Sequence, residues 1–143
     1  MKFLKILAPV SGEQQDTEVI ELACKLAKES KAKVNVVYAI QVKRSLPLDA
    51  ELEPEVRKAE EILNHAESIA EGDDYKVETD LLQTREVGPA IVDEAIEQGA
   101  DLIVLGVRHR RHFGEFNLGE VIPYVLKNAP CNVIVLFLGQ SSP

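Results

Sequence analysis

Hydrophobic residues along this chain switch between two periods, and the switch repeats from one end to the other. Phe3 to Val10 (FLKILAPV) is a short, mostly apolar run that reads as a buried strand. Ser11-Gly12 breaks it. Val19, Leu22, Ala23, Leu26 and Ala27 then recur at helical spacing within a segment from about Gln14 to Ser30. Val34 to Ile40 is β-rich and almost wholly apolar, which predicts a strand covered on both faces. After a long loop from 41 to 53, helical spacing returns from Pro54 to Ala70, with Pro54 suited to a first turn and Gly72 to an end. Tyr75, Val77, Thr79 and Leu81 alternate, predicting a third strand over 75–82. Gly88-Pro89 opens and Gly99 closes a third helix carrying Ile91, Val92, Ala95 and Ile96. Asp101 to Gly106 is the fourth strand. A polar, basic loop covers 107–118, Gly119 starts a short helix, and Val133 to Leu138 is the fifth strand.

Apolar strands that alternate with helices predict an α/β fold: a five-stranded parallel sheet with helices on both faces. The 143 residues suit a single domain spanning 1–143, and no internal repeat is visible. The longest apolar run, Val133 to Leu138, is far too short to span a membrane, so no direct membrane insertion is expected. The first ten residues lack the centre and cleavage site of a signal peptide. Cys24 and Cys131 form no C-x-x-C pair and no disulfide framework. These features point to a cytoplasmic setting. The net charge of −8 argues against nucleic acid as a partner, because phosphate recognition needs a basic face. The acid excess is concentrated in residues 49–74, which read as a solvated helix face.

In a sheet of this kind ligands gather beyond the carboxyl ends of the strands, near the switch point. Three segments converge there: Pro9-Val10-Ser11-Gly12, Tyr38-Ala39-Ile40, and Gly106 to Val121. Gly106, Gly114 and Gly119 allow close backbone approach, and the helix start after Gly119 attracts anions, so a phosphate site is one reading. Plain turn punctuation is the other.

Other chemistries fail on inspection. The chain has no G-x-x-x-x-G-K-S/T loop, no G-x-G-x-x-G and no G-x-S-x-G elbow. His109 and His112 lack the partners of a metal site. His65 reads as exposed, Cys24 as core and Cys131 as structural. A receiver-type signalling domain needs acids at the end of its first strand, and Lys5 to Gly12 contains none.

The chain resembles the universal stress protein family over nearly its whole length, most tellingly in the segments ILAPV, LIVLGVR and GEVIPYVLKNAPCNVIVL. That resemblance implies a Rossmann-like sheet of the adenine nucleotide alpha hydrolase-like type. The family's nucleotide-binding branch carries Gly-x2-Gly-x9-Gly-Ser/Thr. Gly106 and Gly119 match its first and third glycines, but His109 stands at the second and Glu120 at the Ser/Thr position. Ser11 replaces the acidic residue that contacts the nucleotide sugar. A side chain at 109 obstructs backbone contact with phosphate. Glu120 can cap the helix start and compete with phosphate for its N–H groups. Two unit charges about 4 Å apart repel by roughly 1 kcal/mol in water and about 4 kcal/mol near a protein surface.

The resemblance therefore implies a pocket formed by Pro9, Val10, Ser11, Ala39, Gly106, Arg108, His109, Gly119, Glu120 and Val121, with its phosphate motif degenerate. The expected function is a small dimeric stress-response or regulatory module without robust ATP binding and without enzyme activity. Two alternatives stay open. In one, the basic run Arg108 to His112 restores binding, giving an ATP- or AMP-binding switch or weak ATPase. In the other, the module regulates a membrane transporter. The basic run also reads as a solvated loop, or as one paired with residues 49–74. The family implies dimerisation through the last strand, where Val133, Val135 and Phe137 are uncharged.

Overall fold

A computed structural model describes residues 2–108 and 119–139. The elements run β1 (Lys5–Pro9), α1 (Asp16–Lys28), β2 (Lys33–Gln41), α2 (Glu53–Gly72), β3 (Glu78–Thr84), α3 (Val87–Gln98), β4 (Leu102–Arg108), α4 (Val121–Asn128) and β5 (Asn132–Leu138). All four strand pairings are parallel, and the order across the sheet is β3-β2-β1-β4-β5.

Strand residues alternate between two cores, as the pleat requires. Ile6 and Ala8 of β1 and Leu102 and Val104 of β4 pack with Ile20, Ala23 and Cys24 of α1 and Leu63, Ala66 and Ala70 of α2. Leu7, Ile103 and Leu105 point the other way, onto Ile91, Val92 and Ala95 of α3 and Ile122 and Val125 of α4. One face of each helix is therefore apolar, while the acidic side chains Glu53, Glu55, Glu60 and Glu61 of α2 are exposed.

Most element boundaries shift by a residue or two from those expected, and three of the shifts have a clear physical cause. The third strand begins at Glu78 rather than Tyr75. Tyr75 donates its N–H to the carbonyl of Ala70 at 2.9 Å and its hydroxyl to the carbonyl of Ala32. It closes the end of α2, and ladder pairing starts only at Asn35 with Glu78. The fourth strand continues past Gly106, because Val107 and Arg108 pair with Phe137 and Leu138. Helix α4 begins at Val121, after a turn in which Gly119 has φ 72°, the left-handed conformation glycine tolerates.

The chain passes from β1 outward through β2 to β3, then crosses to the opposite side of β1 to start β4. That is the topological switch point. The two central strands share a short ladder, Ile6 with Leu102 and Leu7 with Ile103. Beyond it, β1 stays paired with β2 through Pro9, and β4 stays paired with β5 through Arg108. The separation of β1 from β4 opens a crevice at their carboxyl ends.

Candidate functional site

That crevice has a volume of about 480 Å³. Pro9, Val10, Ser11, Ala39, Gly106, Arg108, Gly119, Glu120 and Val121 all line it. The remaining expected site residue, His109, lies outside the described residues, as does the run from Arg110 to His112. The floor is apolar, formed by Val10, Tyr38, Ala39, Ile91, Leu105 and Ile122. Glu13, Gln15 and Asp16 also line it and were missed by sequence reasoning. The signal that could have found Asp16 is an acid in the first turn of the helix that follows β1.

Asp16 organises the mouth of the crevice. Its carboxylate accepts the Ser11 N–H at 2.9 Å and the Gly12 N–H at 2.7 Å, and the Ser11 hydroxyl lies 3.3 Å away. Gly12 takes φ 82° to present its N–H in this way. Asp16 is buried, and burial pushes its carboxyl above the ordinary aspartate range, against the opposing pull of the N–H bonds. The Gln15 amide donates to the Ser11 hydroxyl at 3.3 Å and to the Glu13 carboxylate at 3.2 Å. Ser11 is thus held inside a local polar network.

Gly106 lines the crevice and carries a packing role as well. A Cβ built there falls 2.5 Å from Cγ2 of Val19, well inside van der Waals contact. Glycine at 106 lets α1 lie against β4. Arg108 departs from expectation, since it ends a strand rather than opening a loop. Its guanidinium lies 3.7 Å from the Glu18 carboxylate and donates to the carbonyl of Gly139 at 3.1 Å. Glu120 occupies the N-cap position of α4 but makes no side-chain capping bond, and its backbone is already helical at φ −97°, ψ −30°. Its carboxylate is exposed at the crevice wall. The described lining residues therefore present three carboxylates, Glu13, Asp16 and Glu120, against one guanidinium that is shared with Glu18.

The cysteines stand apart from the crevice. Cys24 is buried, and desolvation raises its thiol to about 11. Cys131 is half-buried, with burial first and the Asp101 charge second raising its thiol. His65 is exposed. Among the described residues no group of three or more His, Cys, Asp or Glu side chains is placed to hold a metal ion. Also among them, no helix is long and apolar enough to cross a membrane.

A doubly wound parallel sheet with a crevice at its switch point defines a Rossmann-like α/β protein. The model of the universal stress protein family matches residues 2–136, and this chain belongs to that family. A universal stress protein of Methanocaldococcus jannaschii is 33% identical over 140 residues, covering 94% of this chain and 82% of that one. The solved universal stress protein of Archaeoglobus fulgidus superposes with a TM-score of 0.79 at 27% identity, covering 92% of this chain and 97% of that one. A universal stress protein from the same organism, solved in complex with dAMP, superposes with a TM-score of 0.75 at 25% identity, covering 94% of this chain and 98% of that one. The family is in general one of stress-response proteins rather than enzymes.

Proposed function

We propose that this chain is a cytoplasmic regulatory module that holds an adenine nucleoside or its monophosphate in the switch-point crevice and does not bind ATP robustly. The observation that carries this reading is the charge around the crevice: among the described residues Glu13, Asp16 and Glu120 line it against Arg108, and Arg108 is engaged with Glu18. The apolar floor suits a planar base, and the Ser11–Asp16 rim suits sugar hydroxyls. A triphosphate brings several negative charges towards Glu120, and each pair about 4 Å apart costs roughly 1 kcal/mol in water and about 4 kcal/mol near a surface. The related Archaeoglobus protein, solved with dAMP, supports a monophosphate ligand of this class.

Calorimetric titration with adenosine, AMP and Mg-ATP tests this. Saturable binding of adenosine or AMP is expected, with ATP weaker than about 100 μM, near −5.5 kcal/mol. ATP binding tighter than that overturns the reading in favour of a nucleotide switch that uses the 106–121 segment.

The same module is proposed to dimerise through β5. The sheet has two outer strands. One, β3, begins with Glu78, Thr79 and Asp80, whose charges discourage edge pairing. The other, β5, reads NVIVLFL and carries no charge, with Val133 and Val135 half-buried and Phe137 exposed.

A further inference from the structure

A second cleft, about 620 Å³, lies beyond the carboxyl ends of β2 and β3. It shares Val87, Glu120 and Val121 with the switch-point crevice, so the two are joined along one wall. Its charge is opposite. Lys43, Arg44 and Arg85 line it against Glu86 and Glu120, in a protein whose net charge is −8.

The basic groups are held in place by backbone contacts between distant segments. Val42 donates its N–H to the Thr84 carbonyl at 2.7 Å, and the Gln41 side-chain amide donates to the Arg85 carbonyl at 3.0 Å. Arg85 in turn donates from Nη1 to the Lys43 carbonyl at 2.6 Å. The segment after β2 is thereby clamped to the turn before α3. The described lining carries three cationic side chains against two carboxylates, which leaves it net positive. Glu86 lies 3.9 Å from Arg44, but both side chains are mostly exposed, and exposed pairs of this kind contribute little. Helix α3 opens into the same cleft through Val87, Gly88 and Pro89; its first turn holds no acidic side chain, and the N-cap residue Glu86 makes no side-chain capping bond to the helix N–H groups.

We infer that this second cleft is an anion-binding compartment for a phosphate-bearing small molecule, placed on the far side of Glu120 from the crevice. Lys43 and Arg44 supply charge, Arg85 fixes the loop that carries them, and the start of α3 adds its positive dipole end. This goes beyond the nucleoside reading of the crevice and stands without it.

Inorganic pyrophosphate titrated into the full chain at low salt is the direct probe. Saturable binding is expected, weakened about tenfold or more in the double variant Lys43→Glu/Arg44→Glu. Both side chains are exposed, and Arg85 is left intact so that the loop stays anchored. The control Lys25→Glu/Lys28→Glu changes net charge equally at the exposed end of α1 and is expected to move the affinity less than about twofold. Absence of saturable binding, or equal weakening by both variants, overturns the inference. A parallel titration with AMP separates the ligand's sources. If Lys43→Glu/Arg44→Glu weakens AMP as well, the anion is the tail of a nucleotide seated in the crevice; if pyrophosphate alone responds, it is a free ligand. Pyrophosphate binding without any adenosine binding refutes the nucleoside reading and upholds this one.

Discussion

The carboxylate of Asp16, at the start of α1, reaches back over the preceding turn to receive the main-chain N–H of Gly12 at 2.7 Å. Because burial outweighs those N–H bonds, the folded carboxyl titrates above its unfolded value. The folded state then holds the proton more tightly than the unfolded one. The stabilisation from this group is fully present below the unfolded pKa and is lost as pH rises through the folded one. Unfolding of the native chain and of Asp16→Asn, compared from roughly pH 3 to 7, is expected to show the native chain's relative stability falling with pH. A difference that grows with pH contradicts the assignment.

Gly106→Ala forces a methyl against Val19 Cγ2. We expect a loss of about 1–3 kcal/mol in denaturant unfolding, the usual cost of overpacking. Adding Val19→Ala relieves the clash, so the double variant is expected to lose less than the sum of the two single ones. Strict additivity would place the strain elsewhere.

Glu120→Gln removes a charge at nearly constant size. If Glu120 repels phosphate at the crevice wall, ATP affinity rises about fivefold or more, the equivalent of roughly 1 kcal/mol. Adenosine affinity, measured by the same calorimetry, stays within about twofold. A parallel gain for adenosine points to a change in shape rather than charge.

Phe137→Lys puts a cation on the uncharged outer strand β5. Sedimentation velocity is expected to show a native dimer and a variant monomer, because a lysine on an outer strand opposes edge pairing. A native chain that sediments as a monomer at micromolar concentration refutes the β5 interface.

Sequence alone reported the sheet, since apolar periodicity reflects the same pleat and helix geometry that builds the two cores. It misplaced the start of β3, because Tyr75 and Val77 continue the alternation of a strand while the hydrogen bonds of Tyr75 go to Ala70 and Ala32. The crevice was legible because strand order sends the carboxyl ends of β1 and β4 to one place. The return of Asp16 onto Gly12 was not legible, since it depends on a positive φ within the turn. Nor was the basic cleft, whose Lys43 and Arg85 meet only through the pairing of β2 with β3.

Gly106 carries a consequence for how such chains are compared. Its hydrogen answers to Val19, a demand made by folding alone. A lineage that gave up its nucleotide would still be held to glycine there, while positions such as 109 and 120 drifted. The first glycine of the motif therefore marks a helix seated on a strand, and a loss of ligand would leave it untouched.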